Sequence, residues 1–183
     1  MDEYIDLATK TGALTGKKEL KSIIHKKGLY HHTAHIWFFT DTGKILLSQR
    51  SAKKAICPLL WDVSVAGHVD AGETIKAAAI RETKEEIGLD IQEKDLIKVG
   101  VFSCFQTHKN GLIDNEFHNT FIAKLKVPLS QLTPQIEEVE ALKLVTFKEF
   151  HLLLKHSDSN NHFVSSNAKY YNNLLQFIKN TLI

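Results

Sequence analysis

Residues 67–89, GHVDAGETIKAAAIRETKEEIGL, carry the feature that most constrains this chain: three glutamates within one turn of a predicted helix. Glu82, Glu85 and Glu86 stand at positions i, i+3 and i+4, which places their carboxylates on one helix face, about 5–6 Å apart. Like charges at that spacing repel each other unless a cation lies between them. Gly88 is placed as the C-terminal cap of the helix. The stretch therefore predicts a loop and a helix with an acidic edge that faces a cleft.

The ligand chemistry of this acidic edge indicates a hard divalent cation. Carboxylate oxygens without nearby thiolates suit Mg²⁺ (or Mn²⁺). Because water and substrate phosphates usually complete the coordination of Mg²⁺, the three glutamates predict phosphate chemistry. The alternative is a solvated acidic face on an ordinary surface helix, which is what most runs of glutamate are.

Length and composition favour one domain over residues 1–183, with 43% hydrophobic and 24% charged residues. A net charge of +2 gives no field that would gather nucleic acid or an anionic membrane, so we expect neither partner. The chain has no run of about 18 apolar residues, and its start, MDEYIDLATK, lacks the basic and apolar regions of a signal peptide. We therefore expect a cytoplasmic protein, either a monomer or a homodimer.

Hydrophobic patterning predicts alternating strands and helices. The first 28 residues form an N-terminal extension or hairpin, and the turn signal Thr40-Asp41-Thr42-Gly43 joins two strands into a hairpin. Strands are predicted at residues 3–7, 34–39, 44–49, 60–67, 98–106, 116–127 and 141–147, the loop and helix at 67–89, and further helices at 147–156 and 165–182. This order predicts an α/β (α+β) fold in which a mixed sheet lies between helices.

The 67–89 stretch resembles the signature of the Nudix hydrolases. The positions that match are Gly67, Glu73, Arg81, Glu82, Glu85, Glu86, Gly88 and Leu89. Thr83 departs from the pattern, because the family has an aliphatic residue there. The resemblance implies the Nudix fold, metal ligation by Glu82, Glu85 and Glu86 with help from the backbone carbonyl at Gly67, and a structural ion pair between Glu73 and Arg81.

A narrower resemblance extends over about residues 25 to 120, to the type 1 isopentenyl-diphosphate isomerases and their hydrolase-like relatives. It is carried by GKILLSQRSAKKAICPLLWDVSVAGHVDAG, by a histidine before an aromatic strand, and by the later pair of Asp114 and Glu116. The resemblance implies a possible second metal site for Mn²⁺ or Zn²⁺. Its candidate ligands are His25, either His31 or His32, His68, Asp114 and Glu116. We interpret His35 and His118 as packing residues.

The same resemblance implies that Arg50 and Lys54 bind the diphosphate of the substrate, although an exposed basic loop is an equally good interpretation. Ala66 stands where the isomerases have a cysteine that transfers a proton. A methyl group cannot carry a proton, which disfavours isomerase activity.

Hydrolysis is therefore the leading function: a metal-dependent attack of water on a diphosphate linkage in a nucleoside diphosphate derivative or a similar small molecule. Glu85 and Glu86 are the leading proton acceptors, and Glu116 or Glu138 is the alternative. Two other functions stay open. The chain could be a delta-isomerase of isopentenyl diphosphate despite Ala66, or a non-catalytic module that binds a ligand.

Overall fold

The structure is a computed structural model that describes residues 2–156 and 168–182. Within these residues, nine strands and four α-helices follow one another along the chain. They are β1 (Tyr4–Ala8), β2 (Leu14–Leu20), α1 (Lys21–Lys27), β3 (His31–Phe39), β4 (Lys44–Arg50), β5 (Trp61–Asp62), β6 (Val65–His68), α2 (Ile75–Ile87), β7 (Ile97–Thr107), β8 (Ile113–Lys124), β9 (Val139–Thr146), α3 (Phe147–Lys155) and α4 (Ala168–Thr181).

The strand β3 is the centre of a mixed, curled sheet. It runs parallel to β8, with register pairs from His31–Glu116 to Phe39–Lys124, and antiparallel to β6 on its other side. β7 pairs with β8, and β1 connects the hairpin partner β2 to the start of β3. β4 pairs along its length with β9 and at one end with β5. The predicted turn at residues 40–43 is present, but β3 and β4 pair only at Phe39–Ile45 before they diverge.

The single strand predicted at residues 60–67 is two short strands in the structure. β5 pairs with β4, whereas β6 pairs with β3, so the chain changes partner between Asp62 and Val65. Ser64 stabilises this crossing, because its hydroxyl donates to the carbonyl of Leu46 and accepts the backbone N–H of Phe38. Where β3 and β4 separate, their backbone polar groups lose their sheet partners, and the buried hydroxyl of Ser64 satisfies one group on each strand.

Alternating side chains of β3 divide the core into two layers. Ala34, Ile36 and Phe38 pack with the apolar residues of α2, while Trp37 and Phe39 pack on the opposite face with residues of α3 and α4. This is the period of a strand that is buried on both faces. The predicted sheet between helices, and with it the α+β fold class, is confirmed.

The signature helix α2 has a cap at each end. The Thr74 side chain accepts the backbone N–H of Ala77, and Gly88 adopts the left-handed conformation with φ 70°, as its predicted role as cap requires. Thr83 is fully buried and donates its hydroxyl to the carbonyl of Ala79. The departure from the family pattern is therefore accommodated, since the polar atom finds a partner within the helix.

Three differences from the predicted elements affect the site. Residues 1–28 were predicted as an extension or hairpin; in the structure they contain the β1–β2 hairpin and the helix α1, which was not predicted. The predicted strand at 116–127 begins earlier, at Ile113. The predicted helix at 165–182 is α4, and residues 165–167 lie outside the described residues. Among the described helices, none combines the length and the apolar character needed to cross a membrane.

Candidate functional site

A cavity of about 400 Å³ is lined by the acidic edge of α2, the end of β6 and polar residues of β3, β7 and β8. Glu82, Glu85 and Glu86 all line it, as the sequence predicts for one face of the helix. They differ in exposure. Glu86 is only 7% exposed, and the Glu82 side chain is 14% exposed, whereas that of Glu85 is 51% exposed. The cavity therefore receives one buried carboxylate, one that is largely buried, and one that reaches solvent.

Arg81 holds the loop before α2 against the helix. Its guanidinium donates to both carboxylate oxygens of Glu73, at 3.1 and 2.9 Å, and to the carbonyl of His68 at 3.0 Å. It also donates to Glu82 at 2.8 Å and to Glu85 at 3.1 Å. The expected Glu73–Arg81 contact is thus bidentate, and the same cation offsets part of the negative charge of the glutamates.

Gly67 leaves the space that Glu82 occupies. A methyl group built on Gly67 would overlap the carboxyl carbon of Glu82, so any side chain at this position would displace the carboxylate. The next residue back, Ala66, donates its backbone N–H to Glu86 at 3.3 Å. The backbone of β6 is therefore the wall against which two of the three glutamates rest.

Burial makes Glu86 a weaker acid than an exposed glutamate. Burial first, and the charge of Glu82 second, raise the pKa of Glu86 to about 8, although Lys54 and the N–H of Ala66 act in the opposite direction. Burial also raises the pKa of Glu82, against the effect of Arg81. Two carboxylates that resist ionisation in this way lack sufficient positive charge nearby, and a divalent cation supplies such charge. The donor set therefore fits Mg²⁺ or Mn²⁺ held by Glu82, Glu85 and Glu86.

A histidine cluster lies on the face of the sheet opposite α2. Ligand atoms of His25, His31, His68 and Glu116 all lie within 4.8 Å of one another. The register explains three of the four members, because Glu116 of β8 stands opposite His31 of β3, and His68 of β6 pairs with the nearby Thr33. His25 comes from α1, the helix that was not predicted.

The orientation of these imidazoles fits a cation. His31 Nδ1 lies 3.0 Å from the carbonyl of Leu29, so it is the protonated nitrogen, and the buried Nε2 has no hydrogen-bond partner within residues 2–156 and 168–182. His25 Nδ1 is likewise held by Asp114 at 2.8 Å, which leaves His25 Nε2 facing His68 Nε2 at 3.0 Å. Three Nε2 atoms thus converge near one carboxylate, and that set suits Zn²⁺ or Mn²⁺.

Two of the residues predicted for this second site, His32 and Asp114, are not members of this ligand group. His32 points away from the cluster, since its Nε2 bonds the carbonyl of Gly12 and its Nδ1 lies 3.0 Å from the amide of Asn119. The choice left open between His31 and His32 therefore falls on His31. Asp114 uses its two oxygens to hold His25 and His108, at 2.8 and 2.7 Å, and so orients a ligand.

His118 and His35, interpreted from sequence as packing residues, also face the cavity. Burial lowers the pKa of His118, but hydrogen bonds to Cys104 and Glu116 outweigh it and raise the pKa to about 10. Burial raises the pKa of Glu116, but its hydrogen bond to His118 and the nearby imidazole of His31 keep that pKa well below the usual range. Glu116 is therefore ionised beside the protonated imidazole of His118.

The predicted diphosphate ligands, Arg50 and Lys54, line the same cavity. Arg50 donates to the carbonyl of Ile56 at 3.1 Å and contacts Asp62 at 3.4 Å. Lys54 is paired with Glu138. Ala66 lines the cavity too, and contributes no group there that can transfer a proton.

Sequence reasoning missed His108 and Tyr170 of this cavity. The Asn110-Gly111 turn predicted the hairpin that returns the chain, and that hairpin is what places His108 beside Asp114. Tyr170 of α4 lies against β3 because of tertiary packing, which no local signal reports.

Comparison with known proteins decides the family. The model of the NUDIX domain matches residues 29–166. The chain belongs to the Nudix family. α4 lies beyond the matched residues, so the part of the cavity that it lines is outside the family pattern.

Relatives of this Nudix chain include hydrolases and isomerases. It is 36% identical to Nudix hydrolase 3 of Arabidopsis thaliana over 162 residues, which are 86% of this chain but only 21% of that protein. It is 34% identical to isopentenyl-diphosphate Delta-isomerase 2 of Photorhabdus laumondii over 158 residues, covering 86% of this chain and 85% of the isomerase. A solved protein of Deinococcus radiodurans superposes with a TM-score of 0.66 at 19% identity, over 87% of this chain and 92% of that one. The last comparison shows the shared fold alone.

Proposed function

We propose that this Nudix protein is a metal-dependent hydrolase that cleaves a diphosphate linkage in a nucleoside diphosphate derivative or a similar small molecule. The observation that carries the proposal is the position of Glu82 and Glu86. Glu86 is buried in the cavity and Glu82 is largely buried there, and this burial raises the pKa of both carboxylates. A helix has no structural need for such a cluster, whereas a cation site does.

In this function Glu82, Glu85 and Glu86 hold Mg²⁺ or Mn²⁺, aided by the carbonyl of Gly67. The bound cation supplies positive charge for the phosphoryl oxygens and acidifies water. Arg81 orients the glutamates through its contacts to Glu82 and Glu85, and Glu73 holds Arg81 in place. The protein thereby fixes the carboxylates before the substrate arrives, and little reorganisation is needed during the reaction.

Arg50 and Lys54 bind the diphosphate of the substrate. Each is already paired with a carboxylate, Asp62 and Glu138 respectively, so binding exchanges an internal partner for a phosphate oxygen. Arg offers a bidentate grip, and Lys a mobile point charge. Because Glu138 releases Lys54 in this exchange, it becomes free to accept a proton, alongside Glu85, Glu86 and Glu116.

A screen of substrates tests this proposal. The purified protein is incubated with Mg²⁺ or Mn²⁺ and nucleoside di- and triphosphates, nucleotide sugars, ADP-ribose, dinucleotide cofactors or prenyl diphosphates, and release of phosphorylated product is measured. We expect hydrolysis of at least one class, with loss of activity in Glu86→Gln. If Glu85→Gln and Glu86→Gln both hydrolyse that substrate at the rate of the unmodified protein, the assignment fails.

The histidine cluster favours a second candidate, an isomerase that acts on isopentenyl diphosphate. His25, His31, His68 and Glu116 match the ligand set that the resemblance to isomerases implies, and we propose that they hold Zn²⁺ or Mn²⁺. Ala66 counts against the isomerase, since no proton-transferring side chain stands at that position. Incubation with isopentenyl diphosphate and Mg²⁺ separates the two: dimethylallyl diphosphate as product supports the isomerase. The third possibility, a non-catalytic binding module, requires that calorimetry shows no Mg²⁺ binding.

A further inference from the structure

His35 and His118 form a second imidazole pair at the carboxylate of Glu116. Their rings stack with centroids 3.9 Å apart and planes at 23°. Ligand atoms of His35, His118 and Glu116 all lie within 4.8 Å of one another. The pair lies on the cavity side of β3 and β8, and both residues are nearly or fully buried.

Glu116 stands between the two groups of histidines. Its Oε1 lies 3.6 Å from His31 Nε2, and its Oε2 lies 2.9 Å from His118 Nε2. One oxygen thus faces each group. A carboxylate that offers a separate oxygen to each of two nitrogen donor sets has the arrangement of a bridging ligand.

Tyr170 orients His35 for this role. The Trp37 indole N–H donates to the Tyr170 hydroxyl oxygen at 2.6 Å, and the hydroxyl also contacts Thr120. When the hydroxyl donates to Thr120, its oxygen accepts the Nδ1–H of His35, which lies 3.2 Å away. The Nε2 of His35 then carries the lone pair that a metal-ligating histidine requires, and His35 lines the cavity. The contact between Tyr170 and His35 thus comes from α4, which lies outside the residues that match the family.

We propose that Glu116 bridges a dinuclear transition-metal centre, in which His25, His31 and His68 hold one ion and His35 and His118 hold the other. Imidazole nitrogens with a carboxylate select Zn²⁺ or Mn²⁺ over Mg²⁺. The proposal of the first ion depends on the histidine site described under the proposed function. The second ion is held by His35 and His118, to which the proposed function gives no role. The centre adds positive charge to the wall of the cavity, where an anionic ligand can bind.

Zinc stoichiometry tests the proposal without reference to activity. Metal-free protein is exposed to Zn²⁺ in the presence of excess Mg²⁺, which occupies the carboxylate-only site, and is then freed of unbound metal and analysed by mass spectrometry. We expect two zinc ions per chain in the unmodified protein and one in each of His25→Gln, His35→Gln and His118→Asn. His32→Asn is the matched control, because His32 lies on the same strand as His35 and faces the other way; it should retain two.

Other stoichiometries overturn the proposal. One zinc per chain that survives His35→Gln and His118→Asn but is lost in His25→Gln shows a single, mononuclear site. No bound zinc at all removes both histidine sites and leaves the hydrolase proposal at Glu82, Glu85 and Glu86 intact, so the two failures are distinguishable. If His35→Gln does not fold, electron paramagnetic resonance of the Co²⁺-loaded protein decides. Spin coupling that is present in the unmodified protein and absent in His118→Asn supports the bridge, and isolated Co²⁺ spins in both contradict it.

Discussion

Replacing Glu86 by glutamine should stabilise the metal-free protein, although Glu86 lies in the proposed catalytic site. Burial and the charge of Glu82 raise the pKa of Glu86 from 4.5 to about 8. The folded protein therefore retains a proton that the unfolded chain loses between these two pH values. Stability must fall as pH rises through that window, because the unfolded state binds fewer protons than the folded state. Glutamine is nearly isosteric, carries no charge, and can still accept the N–H of Ala66.

The expected magnitude follows from the same shift. At about 1.4 kcal/mol per pH unit, Glu86 costs about 3 kcal/mol of stability at pH 7, where the unfolded chain ionises and the folded protein keeps its proton. The cost reaches about 5 kcal/mol above pH 8, where Glu86 is ionised in both states. For a chain of this length, each kcal/mol corresponds to about 2–4 °C in melting temperature. The Glu86→Gln variant should therefore melt about 6–12 °C above the unmodified protein at pH 7, with a difference of only about 2–3 °C at pH 5.

Differential scanning calorimetry in EDTA, from pH 5 to pH 9, measures this difference. Glu85→Gln is the matched control: it makes the same change one residue away, at a side chain that is 51% exposed and already paired with Arg81. The melting temperature of Glu85→Gln, relative to the unmodified protein, should not rise with pH as that of Glu86→Gln does. Excess Mg²⁺ should raise the melting temperature of the unmodified protein at pH 8 and raise that of Glu86→Gln less. The reasoning is refuted if Glu86→Gln melts at or below the unmodified protein throughout the pH range.

Three further substitutions test single contacts, each by chemical denaturation. Arg81→Gln should lower the free energy of unfolding by about 2–4 kcal/mol, because it leaves the carboxylates of Glu73 and Glu82 without their cation. Arg81→Lys should recover only part of this loss. Unchanged stability in both variants would contradict the prediction. Gly67→Ala should abolish Mg²⁺ binding, measured by calorimetry, since the methyl group displaces the carboxylate of Glu82; normal binding would show that this carboxylate is not a ligand. Ser64→Ala should cost about 1–3 kcal/mol, because two buried backbone groups lose their partner, and a cost near zero would mean that water replaces the hydroxyl.

The acidic edge of α2 could be predicted from sequence because its cause is local. Spacing of i, i+3 and i+4 fixes one helix face wherever the helix lies, and Gly88 marks the end of the helix in any context. The layered sheet also followed from patterning, since the strongly apolar β3 has the character of a strand buried on both faces. These inferences need only the period of the backbone.

The histidine cluster could not be assigned in the same way, because it depends on register between distant strands. His31 and His32 are neighbours in sequence and face opposite sides of β3, and only the pairing of His31 with Glu116 shows which side is the cavity. The helix that carries His25 has a local sequence signal, namely basic residues in its last turn followed by Gly28. In the structure Gly28 is the cap of this helix, with φ 63°. The role of Tyr170 follows from the packing of α4 on β3, which leaves no trace in the local sequence.

The central claim is that a divalent cation lies among the carboxylates of Glu82, Glu85 and Glu86. Crystals of the protein grown with Mn²⁺ test it directly, through the anomalous scattering of the metal. The account predicts an anomalous peak within bonding distance of the Glu82 and Glu86 carboxylates and beside the carbonyl of Gly67. Carboxylates that point apart, with no peak among them at saturating Mn²⁺, would contradict it.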